Sequence, residues 1–472
     1  MPPTGRAVCA PSPEHALAER RDRPQTRQRV DPTRKVAWEV LRAVEEQDAY
    51  VNLLLPGLLR DHGITGRDAA FTTELTHGTI RRSRTYDAVL DTLAPKGIDA
   101  PVRDVLRLGT HQLLAMRVPS HAAVSTSVDL TRAVIGHRPA SFVNAVLRKV
   151  AAADLDTWVS RVAPPYAEDP VGHLAVVHAH PRWVVEAFRD ALGEHDGELG
   201  ALLAADNEPP QVTLVARPGL AEPGDLDGVD GEPGEWSPYA FRLAGGDPGG
   251  IPAVRDGRVG VQDEGSQLVA IVGASVPVDG PDERWLDLCA GPGGKAALLG
   301  AIAAGRGGTL VANEVTPHRA DLVRSAVRLL DNTEVTVHDG RTLESATPYD
   351  RVVVDAPCTG LGALRRRPEA RWRRQPSDLE SLTALQKALL EHALDLTRVG
   401  GVVAYATCSP HLSETRDIVD AVISARDDVE VLDATAVLPD VPHLDRSAPY
   451  AQLWPHLHGT DAMFVAVLRR LP

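Results

Sequence analysis

Apolar residues recur at helical spacing between positions 33 and about 150. Val36, Val40 and Val44 fall four apart, Phe142, Val146 and Val150 do the same, and Val102, Val105 and Leu106 open a further stripe. Residues at i and i+4 share one helix face, so this spacing predicts an all-helical domain over 33–150 whose stripes form its core. Pro56-Gly57, Pro95-Lys96-Gly97, Pro119 and Pro139 punctuate it as turns. Residues 1–32 mix Pro, Arg and Gln without periodicity and read as a disordered tail. Residues 151–260 read as a small α/β connecting module. Within it, His180-Pro181-Arg182-Trp183 opens a helix, 211–216 and 239–243 alternate like strands, and 218–235 is a Gly/Pro/Asp-rich loop. The segment 261–472 forms a third unit. Short apolar runs at 285–288, 309–311, 335–337, 351–354 and 402–406 alternate there with helical stretches near 294–304, 317–330, 378–397 and 413–425. That alternation predicts a parallel, doubly wound, Rossmann-like α/β sheet, whose ligands bind beyond the carboxyl ends of the strands.

Composition narrows the possibilities. The 472 residues are 43% hydrophobic and 24% charged, ordinary for a soluble protein. No apolar run approaches the ~18 residues of a membrane helix, and the N-terminus has no signal-type apolar core, so neither a membrane span nor secretion is expected. Cys9, Cys289, Cys358 and Cys408 lie far apart with no CxxC or Cys/His cluster. This argues against a disulfide scaffold or a metal site and for a reducing cytoplasm. The net charge of -14 speaks against nucleic acid, but its distribution weakens that objection: residues 1–150 carry 22 basic against 16 acidic side chains, whereas 190–256 carry 14 acidic against 3 basic. Binding follows the local patch more than the total.

The residues with chemical character fall at the predicted strand ends. Asp287-Leu-Cys-Ala-Gly-Pro-Gly-Gly-Lys295 runs from a strand through a glycine turn into a helix N-terminus, where backbone can approach a ligand closely. It is not a Walker A loop: Cys289 replaces the first glycine and Ala296 the magnesium-binding Ser/Thr. Gly291, Gly293 and Ala296 also satisfy a loose dinucleotide pattern. Glu314, after the next strand, is placed for ribose hydroxyls, and Asp339, after the third, for an adenine amino group. Two thiols follow the fourth and fifth strands, in Asp355-Ala-Pro-Cys358 and Thr407-Cys408-Ser-Pro410. A pair of cysteines beside one crevice suits catalysis better than packing. Residues 365–374 hold six arginines and a tryptophan, a composition suited to phosphate contact and base stacking.

The motifs DLCAGPGGK, DAPC and TCS resemble those of RNA cytosine-5 methyltransferases that use S-adenosylmethionine, and Phe142-Val-Asn-Ala-Val-Leu-Arg148 resembles the end of a helical domain like the antitermination factor NusB. Together they are similar to the small-subunit ribosomal RNA cytosine-5 methyltransferase B family (Sun/Fmu type), over about residues 33–469. The resemblance implies a NusB-like RNA-binding domain at 33–150 and a Rossmann-like methyltransferase domain at 261–472. It also implies a donor site at Cys289, Ala290, Gly291, Pro292, Gly293, Gly294, Lys295, Glu314, Asp339 and Asp355. Cys408 is the implied nucleophile, Cys358 the second cysteine and Asp355 a contact to the cytosine edge. Lys295 is expected to offset the methionine carboxylate, and Asp287 to hold the loop and the donor's amino group. The implied partner is small-subunit ribosomal RNA, bound by a cytoplasmic monomer without metal or membrane.

Two departures stand out. Gly291 replaces the usual alanine, a change expected to do little. After Cys408 the family's Asn and final Glu are missing and only Glu414 survives, which puts the hydrogen bonds behind the nucleophile loop in question. Three other readings remain open on the sequence: a transfer RNA methyltransferase, a dinucleotide-dependent oxidoreductase that leaves both cysteines unexplained, and a non-catalytic RNA-binding assembly factor.

Overall fold

The computed structural model describes residues 30–222 and 224–472, so most of the expected tail lies outside the described residues. Helices α1 (Pro32–Gln47), α2 (Val51–Asp61), α3 (Gly66–Arg81), α4 (Ser83–Leu93), α5 (Ala100–Leu114), α6 (Ser120–Val134) and α7 (Ala140–Val150) form the N-terminal layer. Asp31 caps α1, accepting from the Thr33 amide at 2.9 Å, and Pro32 sits in the first turn, where its missing N–H costs nothing. Val36, Val40, Val105, Leu106, Val146 and Val150 are buried together as the stripes predicted. Phe142 is not in that core: it is 38% exposed, because α7 turns Val143, Val146, Leu147 and Val150 inward and leaves Phe142 at the edge of the stripe.

The connecting region has two parts. Helix α8 (Leu155–Val162) joins the N-terminal layer, with the Trp158 indole donating to the Val150 carbonyl at 2.9 Å. Helices α9 (Pro170–Val177), α10 (Arg182–Leu192) and α11 (Leu199–Ala205) bury Val184, Val185, Phe188 and Leu203 against Leu361, Leu364 and Trp454 of the C-terminal unit. Strands β1 (Thr213–Ala216), β2 (Gly231–Pro233), β3 (Ala240–Leu243) and β4 (Val259–Val261) form an antiparallel sheet in the order β2-β3-β1-β4, flanked by the short α12 (Pro252–Asp256). Strand β2 lies inside the stretch expected to be loop. All three of its residues are exposed, so it carries no apolar signal.

The C-terminal unit runs α13 (Glu264–Ser275), β5 (Arg284–Asp287), α14 (Gly294–Gly305), β6 (Thr309–Asn313), α15 (Pro317–Ala326), β7 (Thr333–Thr336), β8 (Tyr349–Asp355), α16 (Ala370–Arg373), α17 (Asp378–Leu396), β9 (Thr397–Thr407), α18 (Arg416–Ile423), β10 (Val429–Leu432), β11 (Ala451–Gln452), α19 (Pro455–His458) and β12 (Phe464–Arg470). The sheet order is β10-β12-β9-β8-β5-β6-β7, with β11 on β12. Strands β9 through β7 are parallel, and all but the edge strand β7 bury both faces, against α13 and α14 on one side and α17 and α18 on the other. The sheet is mixed, not wholly parallel as expected, because β12 returns antiparallel beside β9 and β10 pairs with it. The first five residues of β12 are buried, so its sequence does not alternate and gives no strand signature. No described helix is long and apolar enough to cross a membrane.

Candidate active site

Strands β5, β8 and β9 are parallel neighbours, so the turns beyond their carboxyl ends open into one crevice. Asp287 ends β5, Asp355 ends β8, and Cys408 directly follows β9. The glycine loop carries the chain from β5 into α14. Gly293 caps that helix at φ 111°, and a Cβ there would stand 2.6 Å from the Ala326 Cβ and 3.0 Å from the Val323 Cα, so the turn requires glycine.

The two sulfurs lie together: Cys358 Sγ is 3.4 Å from Cys408 Sγ. The thiols differ. The hydrogen bond from Cys358 lowers the Cys408 pKa; burial opposes this, and the Lys295 ammonium and Arg367 assist it. The same bond, followed by burial, holds the Cys358 thiol well above its ordinary value. The two shifts run in opposite directions, so Cys408 ionises ahead of Cys358.

Behind them stands a buried network that the sequence reading left in question. Glu414, fully buried, accepts from the Thr359 amide at 2.7 Å, the Thr359 hydroxyl and the Gln386 side-chain amide at 3.1 Å. Thr359 Oγ1 lies 3.1 Å from Ser409 Oγ, and Gln386 also donates to the Pro357 carbonyl at 2.8 Å. One carboxylate and two hydroxyls therefore lock the loops of both cysteines, without the Asn and Glu missing after position 414. The Glu414 spacing and Ser409 of the TCS motif were visible in the sequence; Thr359 and Gln386 gave no signal there.

Lys295 turns toward the end of β8. Its Nζ is 2.9 Å from Asp355 Oδ2, on the side of the cysteines. Burial opposes its charge, but Asp355, with Cys408 and Asp287 further off, outweighs that and raises its pKa. Asp287 is completely buried, and neither carboxylate oxygen has a hydrogen-bond partner. Burial first, then the Asp355 charge, pushes its pKa up to about 7. An orphaned buried carboxylate at the mouth of a glycine turn fits a ligand bearing a cationic amino group, as a methionine-derived donor does.

Glu314 closes on the glycine loop from β6, accepting from the Gly291 amide at 3.1 Å and the Thr316 amide at 3.0 Å. A Cβ at Gly291 would sit 2.1 Å from Glu314 Oε2. An alanine at 291 would therefore require the ends of the Glu314 and Arg319 side chains to shift. Ala290 is buried and donates to the Asn313 carbonyl at 2.8 Å, Pro292 is exposed, and Gly294 faces the Gln262 side chain. The Cys289 thiol is pushed well up, by burial first and then by Asp287 and Asp355, which makes it inert. Asp339, after β7, is turned onto Arg341 (Nε at 3.0 Å), whose hydrogen bonds hold it down at about 2.

The arginine run does not form the open RNA face its composition suggested. Arg371 is fully buried, donating to the Ala179 carbonyl at 3.0 Å, Asn207 Oδ1 at 2.9 Å and the Asp206 carbonyl at 3.1 Å. Trp372 donates to the Ile80 carbonyl at 2.8 Å, and Arg373 to the Ala49 carbonyl at 2.9 Å. Arg365 bonds the Gly459 carbonyl at 2.7 Å, and Arg366 grips Asp461 with two nitrogens. Most of these acceptors lie at or just beyond helix C-termini, where carbonyls lack partners and cations are favoured. The run is a clamp between the helical layers and the catalytic loops, and Arg367 is its exposed arginine.

With this geometry established, comparison with known proteins is informative. Residues 277–469 match the 16S rRNA methyltransferase RsmB/F family, and residues 31–152 match the NusB family. A Mycobacterium tuberculosis H37Rv protein, named only as a proposed methyltransferase, is 54% identical over 96% of this chain and 99% of its own length. The ribosomal RNA small subunit methyltransferase B of Pseudomonas putida KT2440 is 31% identical, covering 85% and 91% of the two chains. The crystal structure of PH0851 superposes with a TM-score of 0.71 at 20% identity, covering 93% of this chain and 99% of that one, and so shares the fold. Proteins of this methyltransferase family take their methyl group from S-adenosylmethionine. The chain thus belongs to the RsmB/F methyltransferase family, with a NusB domain preceding the S-adenosylmethionine-dependent catalytic unit.

Proposed function

We propose that this protein methylates carbon 5 of a cytosine in small-subunit ribosomal RNA, through a covalent bond between Cys408 and the base, and that it works as a cytoplasmic monomer. The observation that carries the reading is the pair of sulfurs 3.4 Å apart, with the Cys408 pKa lowered and the Cys358 pKa raised by their contact. Carbon 5 of cytosine is a poor nucleophile. Addition of the Cys408 thiolate to carbon 6 makes the ring an enamine whose carbon 5 is nucleophilic, which splits one hard step into easier ones. S-adenosylmethionine, held by residues 289–295 with Asp287, Glu314 and Asp339, supplies the methyl group.

Asp355 holds Lys295 with Oδ2 and offers Oδ1 to the cytosine 4-amino group. The Lys295–Asp355 pair thereby orients the base edge beside Cys408. Once Cys408 is bonded to carbon 6, the thiolate that raised the Cys358 pKa no longer exists. Cys358 then releases its proton more easily, and its thiolate takes the proton from carbon 5 as Cys408 leaves. That step restores the starting pair, one thiol and one thiolate, with one proton released to solvent per turnover. No metal enters the scheme.

The ribosomal substrate is supported by the family match and by the name of the Pseudomonas putida relative. Bisulfite sequencing of RNA from a strain lacking the gene tests it. One protected cytosine in small-subunit ribosomal RNA should become convertible while transfer RNA is unchanged. A lost protection confined to transfer RNA would overturn the ribosomal assignment.

A further inference from the structure

The His180-Pro181-Arg182-Trp183 motif has no part in the scheme above, yet it forms one wall of a cavity of about 310 Å³. Trp372, Arg371 and Arg374 of the arginine run form the opposite wall, and Arg84 from α4 stands at its edge. Two features mark it as more than a packing defect. His180 is 2% exposed; its Nε2 stands 3.5 Å from the buried Asp206 Oδ2, while its Nδ1 and the Arg371 Nε have no hydrogen-bond partner. Burial keeps the His180 imidazole neutral, so one nitrogen can donate and the other accept. Unsatisfied polar groups this deeply buried are costly unless something else pairs with them.

The walls also have the composition that holds unpaired nucleotides: two half-buried indoles among guanidinium groups. The Arg84 guanidinium lies 5.8 Å from the Trp372 ring centroid. Arg84 is held by Asp87 at 3.7 Å, Arg374 by Asp378 at 3.8 Å and the exposed Arg182 by Asp169. Such long or solvent-exposed pairs yield readily to a phosphate.

The cavity is also tied to both catalytic loops. Arg374 Nε donates to the carbonyl of Thr359, the residue after Cys358, at 3.2 Å. Helix α10, which Trp183 helps open, packs on the Leu412–Glu414 turn behind Cys408. We infer that this cavity binds a single-stranded nucleotide of the RNA substrate flanking the target cytosine, its base stacked on Trp183 or Trp372 and its phosphate on Arg84, Arg182 or Arg374. Seating it there fixes the strand against the loops of both cysteines. The inference rests on the RNA reading proposed above.

The test uses the full chain and an unmodified small-subunit ribosomal RNA transcript in filter binding. Trp183→Ala should weaken RNA binding by at least about fivefold, and Trp183→Phe should retain most of it, in line with stacking worth ~1–3 kcal/mol per base. Arg84→Ala, at a side chain 63% exposed and so safe for folding, should flatten the log affinity against log salt plot by ~0.7. All three variants should bind S-adenosylmethionine like the parent, which reports an intact catalytic unit. Ultraviolet cross-linking with peptide mapping should place RNA on Trp183 or Trp372. RNA affinity within about twofold of the parent for both alanine variants, or cross-links lying only elsewhere, would overturn the inference. So would cross-linking of the pocket to a ribosomal protein in assembly particles. A parent chain that binds no ribosomal RNA would instead overturn the substrate reading and this inference with it.

Discussion

Replacing Arg371 by alanine separates a structural clamp from an RNA-binding face. The side chain is fully buried, and its guanidinium makes hydrogen bonds at 2.9, 3.0 and 3.1 Å to Asn207 Oδ1 and the Ala179 and Asp206 carbonyls, tying together two separate segments. Burial lowers its pKa to about 9, with Asp206 opposing, so it remains charged at neutral pH. Hydrogen bonds to a charged donor contribute ~1.5–3 kcal/mol each, but bonds within one network do not add. Alanine would leave the Ala179 and Asp206 carbonyls and the Asn207 amide oxygen without their donor. Loss of one partner from a buried charged network costs ~3–5 kcal/mol, and that is the expected destabilisation.

The matched control is Arg367→Ala. Arg367 is exposed, and its guanidinium lies 5.8 Å from the Tyr50 ring centroid, a contact worth ~0.5–1 kcal/mol. Guanidinium unfolding at pH 7, followed by tryptophan fluorescence, should show an early midpoint for Arg371→Ala and a nearly unchanged one for Arg367→Ala. Equal stability of the two variants, with RNA affinity lost in Arg371→Ala alone, would refute the clamp and restore the open RNA face.

Asp287→Asn should stabilise the donor-free protein at high pH and weaken donor binding. Because the folded pKa is raised from 3.8 to about 7, wild-type stability is intact below pH ~4 and is lost as pH rises toward 7. The variant's advantage should therefore be absent at pH 4 and reach an upper limit of ~4 kcal/mol by pH 8; denaturant melts at both pH values check this, and calorimetry should show weaker S-adenosylmethionine binding. Lys295→Met and Cys358→Ala should each move the alkylation of Cys408 by iodoacetamide to higher pH, Cys358→Ala by more, since its hydrogen bond is the larger cause of the lowered pKa. Unchanged pH profiles in both would show that neither group sets the nucleophile's charge.

How much of this was legible in the sequence follows from what each feature depends on. Helical stripes such as Val36–Val40 and Val146–Val150 are local periodicities, and they located the N-terminal domain. The strand-end motifs are equally local, so Asp287, Asp355, Cys358 and Cys408 could be assigned to one crevice from the strand-helix alternation alone. Strands β10 and β12 and the true role of residues 365–374 depend on long-range partners. A run of arginines reads as a solvated or RNA-facing stretch because nothing nearby announces that carbonyls near positions 49, 80, 179 and 206 will be its acceptors. Lys295 shows the same limit: the sequence placed it in the donor loop, but only the fold brings Asp355 within 2.9 Å of it. Glu414 could be noticed as a survivor of a motif, whereas its bonds to Thr359 and Gln386 appear only in three dimensions.

The central claim is that two adjacent thiols act at opposite ends of one reaction, and a denaturing gel tests it most directly. Each single cysteine variant is incubated with labelled small-subunit ribosomal RNA transcript and S-adenosylmethionine, at about pH 9 so that Cys408 ionises without help from Cys358. Cys408→Ala should form no slow-migrating protein–RNA band, because the first bond cannot be made. Cys358→Ala should accumulate that band, because attack and methyl transfer proceed while release from carbon 5 is slowed. A band in Cys408→Ala and none in Cys358→Ala would exchange the two roles. Full activity in both variants would contradict covalent catalysis by this pair.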